Sequence, residues 1–204
     1  MGRFIEAGTE TLRRNGKLYV YFMSAGYCPY CAGERWAIVR ALERFGRWSG
    51  LKESSSASRD EPWLDLPTYD FASAAYGSEH VEFAACETDD REFRPLQKPA
   101  QADAPLVRKF DPKGYIPFLL IGGRFTQVGS GVKLSLLAGL SFSQAQAQAQ
   151  DRATSLGQAV ETEANVICAL ACLAGLPLQL FREPEIAGLV EQAQSVLVHG
   201  TPAP

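Results

Sequence analysis

Residues 18–36 read LYVYFMSAGYCPYCAGERW, and the passage from an apolar run to two closely spaced cysteines decides the fold. Leu18 to Met23 is a run of β-formers bounded by Asn15-Gly16 and by Ser24-Ala25-Gly26, which predicts a short buried strand. A helix is expected from about Pro29 to Phe45. Pro29 suits the first turn, where its missing N–H costs nothing, and Ile38, Leu42 and Phe45 share one face. Gly46 fits the residue just past the helix end. Cys28 then falls at the N-cap and Cys31 one turn further in, while Glu34 and Arg35 read as the solvated first turn.

Beyond this unit, GLKESSSAS reads as a second strand running into a polar loop. TYDFAS and HVEFAACET read as two further strands joined around Ala75-Tyr76-Gly77-Ser78. Residues 89–103 form a loop with two prolines, and APLVRKF a short helix. YIPFLLIGGRFTQV then gives a strand opening at Pro117, a Gly122-Gly123 turn and a partner strand from Arg124 to Val128. The last third is helical. SFSQAQAQAQ alternates Ala and Gln without a β-branched residue and reads as a solvated helix; Asp151 to Ala174 is a longer one; a third starts at Pro184. TPAP reads as a frayed tail. The order predicts an α/β domain over residues 1–140 with a mixed sheet flanked by helices and an inserted β region at about 49–100. Residues 141–204 are expected to form a helical extension packed on the same domain.

Composition narrows the class. With 46% hydrophobic and 21% charged residues the chain reads as soluble and globular rather than disordered. A net charge of −3 without a block of Lys or Arg does not point to nucleic acid or to an anionic membrane. The five cysteines are too few for a disulfide scaffold and odd in number, so at least one thiol is expected to stay free or to pair with another molecule. The longest apolar stretch, Ala164 to Phe181, is interrupted by Asn165, Gly175, Pro177 and Gln179, and reads as a buried helix and its exit, not as a membrane span of about 20 residues. MGRFIEAGTETLRRNGK shows no signal-peptide run, and MGRFIE lacks the Ser or Thr of a myristoylation signal. The expected compartment is cytoplasmic for the chain as written, or extracytoplasmic if an export segment has been removed.

The chemistry rests on Cys28-Pro29-Tyr30-Cys31. A thiolate attacks a disulfide, and the partial positive charge at a helix N-terminus lowers the pKa of a thiol placed there. Cys28 is therefore the expected nucleophile and Cys31 the resolving thiol. A zinc site would need two more ligands. Cys168 and Cys172 form the remaining close pair, but their surroundings are apolar and neither His80 nor His199 lies near them in sequence, so no metal and no cofactor are expected. Cys168 and Cys172 read first as small core residues and second as auxiliary thiols. Spaced i and i+4 on a helix, with nearly parallel Cβ vectors, they are poorly placed for a mutual disulfide. Cys86 reads as inert, on the apolar face with Phe83 or Ala85. A Cys–His hydrolase would need an imidazole beside Cys28 and would have no use for Cys31. Tyr27, Tyr30 and Trp36 either form an apolar rim for a peptide or simply pack. The competing reading keeps the fold as a binding module whose Cys28–Cys31 disulfide is a staple.

The phrases GYCPYCAGERWAIVRAL, RFGRWSGLK, SSSAS at 54–58, PTYDF, AAYGSEHVEF, IPFLLIGGRF and LAGLSFSQ, with the late helix carrying Asn165 and Cys168, resemble the domain of unknown function 929 family over roughly residues 17–174. That resemblance implies a thioredoxin-like three-layer fold with an inserted β-hairpin region and a C-terminal helical extension. By analogy it implies a thiol–disulfide oxidoreductase acting on a protein thiol or disulfide with a redox partner protein. In thioredoxin-like folds a cis X-Pro bond sits against the active cysteines, so Ile116 and Pro117 are expected to be cis and to shape a substrate groove. The chain also departs from thioredoxin. Phe22 stands where thioredoxins carry a buried acid, and the span from Cys31 to Pro117 is much longer. Both departures fit a specialised oxidoreductase, nearer the oxidase or isomerase type.

Overall fold

A computed structural model of the protein describes residues 3–181 and 184–199. In chain order its elements are β1 (Arg3–Glu6), β2 (Arg13–Arg14), β3 (Lys17–Ser24), α1 (Pro29–Leu42), β4 (Gly46–Ser49), β5 (Lys52–Ser55), β6 (Pro67–Asp70), β7 (Ala75–Ser78), β8 (Val81–Glu87), α2 (Ala104–Phe110), β9 (Phe118–Ile121), β10 (Phe125–Val128), α3 (Phe142–Gln150), α4 (Ser155–Leu173) and α5 (Pro184–His199).

The central sheet is mixed. β3 pairs parallel with β8, bringing Met23 opposite Cys86 and Ser24 opposite Glu87. On its other side β3 pairs antiparallel with β9, Phe22 opposite Leu119; β10 and β1 continue the sheet antiparallel, and β2 pairs with the start of β3. Both faces are covered, which is why β3 reads as an unbroken apolar run. Leu18, Val20 and Phe22 pack with Leu119, Ile121 and the inner faces of α1 and α4. Tyr19, Tyr21 and Met23 pack with Cys86, Phe118 and Leu120 against Leu106, Val107 and Phe110 of α2.

Two small antiparallel ribbons, β4 with β7 and β5 with β6, lie outside this sheet. GLKESSSAS, expected as the second strand, is therefore not the parallel neighbour of β3. Its strand β5 is half-exposed and polar, and a parallel strand must be buried on both faces, a condition that VEFAACE meets far better. β8 thus belongs to the central sheet rather than to the inserted region. An aromatic cluster joins the ribbons to the sheet: Phe71 packs edge-on to Phe22 and Phe83 and stacks on Trp48 at 5.0 Å.

Local signals account for most element ends. Gly122 and Gly123 both take positive φ in the β9–β10 turn, where a side chain would be strained. Gly46 does not cap α1 in a left-handed conformation; it opens β4, where a Cβ would stand 2.3 Å from the Gly77 carbonyl oxygen. α3 begins with a capping box, Ser141 accepting from the Gln144 N–H while the Gln144 side chain accepts from the Ser141 N–H, and the Ala-Gln repeat is helical. β1 carries no strong sequence signal and is ordered by pairing with β10. The tail TPAP lies outside the described residues. Among those described, no helix is long and apolar enough to cross a membrane.

α1 is buried on nearly every side, between the sheet, α4, the short helical turn at Leu134–Leu136, and β6. Glu34 and Arg35 are consequently not a solvated first turn: both are buried, at 0% and 1% exposure. On the α4 side, Glu161 receives Arg40 and Arg44 at 2.7 Å each and also pairs with Arg152.

Candidate active site

β3 delivers the chain into a tight turn, Ser24 to Tyr27, and the first turn of α1 begins at once. Gly26 allows the loop at 89–91 to pass close: its N–H donates to the Asp89 carbonyl at 2.7 Å, and a Cβ there would meet Arg91 N at 2.8 Å. Cys28 takes the N-cap position and its sulfur accepts the Cys31 N–H at 3.3 Å, so the thiol sits on the unpaired amides of the helix start. Pro29 holds the first helical position. All five cysteines are free thiols.

Ala25, Cys28 and Cys31 form a small cluster of their own, with Tyr27 and Ile116 packed against it. The Ile116–Pro117 peptide is cis, and Pro117 is buried with its carbonyl accepting the Gly129 N–H at 3.0 Å. Tyr27 stacks on Phe93 at 4.5 Å, and its carbonyl accepts from Ala57 N, which ties the site to the inserted region. Tyr30 points outward at 46% exposure. Trp36 does not line the site. It is buried, donates through Nε1 to the Pro67 carbonyl at 2.9 Å, and packs against Tyr69 and Phe142.

The two thiols are inequivalent. Cys28 is held below the ordinary thiol value, first by the hydrogen bond from the Cys31 thiol, then, against opposing burial, by the Cys31 N–H, the Arg35 charge and the Tyr30 N–H. Cys31, with no exposed surface, is pushed well above that value by burial and by its bond to Cys28.

Sequence reasoning missed the charges around this pair. Arg35 clasps Glu87 through Nε (3.1 Å) and Nη2 (2.6 Å), and Nη2 also donates to the Ala25 carbonyl at 3.0 Å. Burial would depress the guanidinium, but the Glu87 carboxylate holds it charged. The signal available was spacing: Arg35 lies four residues after Cys31 and seven after Cys28, one face of a helix. One residue earlier, Glu34 turns toward α4. Its Oε2 accepts the Gly131 N–H at 2.9 Å, and burial, aided by the nearby Glu163, pushes its carboxyl up to about 8. Glu163 is also raised by burial and accepts from Gln127 Nε2 at 2.6 Å.

The other candidates lie elsewhere. Cys168 is in the main core, its sulfur accepting from Arg44 Nη1 at 3.0 Å; Cys172 on the same helix is half-buried and pushed up to about 11 by desolvation. Cys86 faces Tyr21 and Met23 beneath α2, the face opposite Phe83 and Ala85, and burial raises its pKa. His80 lies at the far end of β3, its carbonyl accepting the Leu18 N–H, and the His199 side chain is outside the described residues. Among the described residues no three His, Cys, Asp or Glu side chains converge as a metal group.

No curated protein and no solved structure matches the chain. A family model described as a Domain of unknown function (DUF929) matches residues 3–104, from β1 through the dithiol and both ribbons to the first residue of α2, and the chain belongs to that family.

Proposed function

We propose that this family member is a thiol–disulfide oxidoreductase on a thioredoxin-like core, with Cys28 as nucleophile and Cys31 as resolving thiol. The strand order β8–β3–β9–β10, parallel then antiparallel twice, with α1 following β3 and α4 packed on α1, supports the thioredoxin-like reading. Ile116 against the cysteine cluster supports it further. The observation that carries the activity is the asymmetry of the two thiols. Cys28 is capped by helix amides and depressed; Cys31 lies beneath it, fully buried and raised.

That asymmetry suits a two-step exchange. The Cys28 thiolate attacks one sulfur of a substrate disulfide, forming a mixed disulfide and expelling a substrate thiolate. Cys31 then loses its proton and attacks Cys28 Sγ, releasing the second substrate thiol and leaving the Cys28–Cys31 disulfide. The same steps run backward when the substrate is a dithiol. No cofactor takes part in this scheme, and the substrate is a protein with exposed thiols or a disulfide.

Mixed-disulfide trapping tests the assignment. Cys31→Ser is expected to accumulate covalent adducts with substrate proteins, and Cys28→Ser to accumulate none; equal capture by both refutes the roles. A reduction potential below about −300 mV would mark the pair as a structural staple instead.

A further inference from the structure

Exchange at a dithiol has no preferred direction until something stabilises one oxidation state over the other. Reducing the disulfide places a leaving negative charge on sulfur, so a buried positive charge that does not titrate favours the reduced pair. Arg35 is such a charge. Its guanidinium is 1% exposed and is fixed on two sides by Glu87 and the Ala25 carbonyl. That same carbonyl accepts the Cys28 N–H at 3.3 Å, so the guanidinium hangs on the wall of the cysteine cluster. Nη1 is buried with no hydrogen-bond partner among the described residues, which leaves donor capacity on this guanidinium uncommitted. Arg35 lowers Cys28 and opposes burial at Cys31, so its charge reaches both sulfurs.

We propose that the Arg35 charge, held in place and partly offset by Glu87, poises the Cys28–Cys31 site as an electron acceptor, so that its substrates are protein dithiols, which it oxidises. The inference rests on the thiol–disulfide reading of the site. In the oxidised site, a substrate thiolate attacks Cys28 Sγ, the Cys28–Cys31 bond breaks, and Cys31 takes the electron pair and a proton. The second substrate thiolate attacks the substrate sulfur of the mixed disulfide, and Cys28 departs as a thiolate whose charge Arg35 offsets. The substrate dithiol becomes a disulfide; two electrons and one proton reach the site, and the other proton goes to solvent. A more oxidising disulfide returns the site to its starting form. Low basicity of the departing Cys28 thiolate speeds its cleavage from the mixed disulfide when the oxidised substrate is released. Arg35 is a positioning residue, acting through Cys28.

Charge variants of the full chain test this by sign. Arg35→Gln combined with Glu87→Gln removes both charges and keeps amide hydrogen bonding. It is expected to raise the Cys28 pKa, read from the pH profile of iodoacetamide alkylation. Its equilibrium with glutathione should move about tenfold toward the protein disulfide, about 30 mV. Glu87→Gln alone removes the neutralising partner and is expected to move both quantities the opposite way. Arg35→Lys keeps the charge and should hold the Cys28 profile near wild type. Opposite signs from the two removals are not what lost packing would produce. If the double variant fails to fold, Glu87→Gln decides alone: a more oxidising site upholds the inference, an unchanged or more reducing one overturns it. A site that exchanges with glutathione but ignores both charges overturns this inference and leaves the oxidoreductase reading standing. A site that never exchanges overturns both.

Discussion

Replacing Glu34 with Gln gives the protein a stability profile that diverges from wild type with pH. Glu34 is wholly enclosed between α1, the turn at Gly131 and α4, and Glu163 faces it across that space. Its pKa rises from 4.5 to about 8 on folding, first through desolvation and then through Glu163. Because the folded value lies above the unfolded one, the native state keeps a proton that the unfolded chain has released between these values. The stability tied to that proton is fully present below pH 4.5, falls as pH rises, and is gone above about pH 8. At about 1.4 kcal/mol per tenfold in proton affinity, the whole loss is about 5 kcal/mol, shared with Glu163 because the two carboxyls titrate as a pair. Glutamine mimics the neutral acid: it still accepts from the Gly131 N–H and adds a donor toward Glu163. Urea unfolding of reduced protein, followed by tryptophan fluorescence from pH 4.5 to 9, reads the difference. The variant should match wild type within about 1 kcal/mol at the acid end and exceed it by several kcal/mol at pH 8.5. A constant offset across the range, or a gap that widens toward acid, refutes the reasoning.

Three further outcomes are expected. Phe71→Ala removes the ring that links Phe22, Trp48 and Phe83, and should cost about 3–5 kcal/mol in urea unfolding; a loss under 1 kcal/mol would mean the ribbons are not anchored there. Glu161→Ala removes the carboxylate from beside the largely buried Arg44, whose charge then keeps only neutral contacts such as Asn165 and Cys168 in place of that ion pair, and should cost about 3 kcal/mol, with much of the loss recovered when Arg44→Met is added. Under native, reducing conditions at pH 7, limiting iodoacetamide followed by peptide mapping should label Cys28 well before Cys86 and Cys172, whose thiols burial raises; comparable labelling would contradict this order of acidity.

The dithiol unit was legible because its signals are short-range. A run of β-formers, a Pro at the first helical position and a cysteine at the N-cap are each decided within a few residues, and so is the Gly122-Gly123 turn. The parallel neighbour of β3 was harder to read. β5 and β8 both follow α1 and both look extended, and only burial on two faces separates them. Trp36 shows the same limit: an aromatic one turn past Cys31 suggests a rim, but the β5–β6 ribbon and α3 close over it.

By itself, the sequence determined the strand-to-helix passage, the placement of Cys28 and Cys31 on it, and the hairpin that brings Ile116 and Pro117 along the sheet. Tertiary structure alone decided what surrounds the sulfurs. Glu34 and Arg35 look like the exposed charges of any first turn until α4, the Gly131 turn and the end of β8 enclose them. Their fates then diverge because their partners, Glu163 and Glu87, arrive from distant parts of the chain: an acid met by an acid retains its proton, and a guanidinium met by a carboxylate retains its charge.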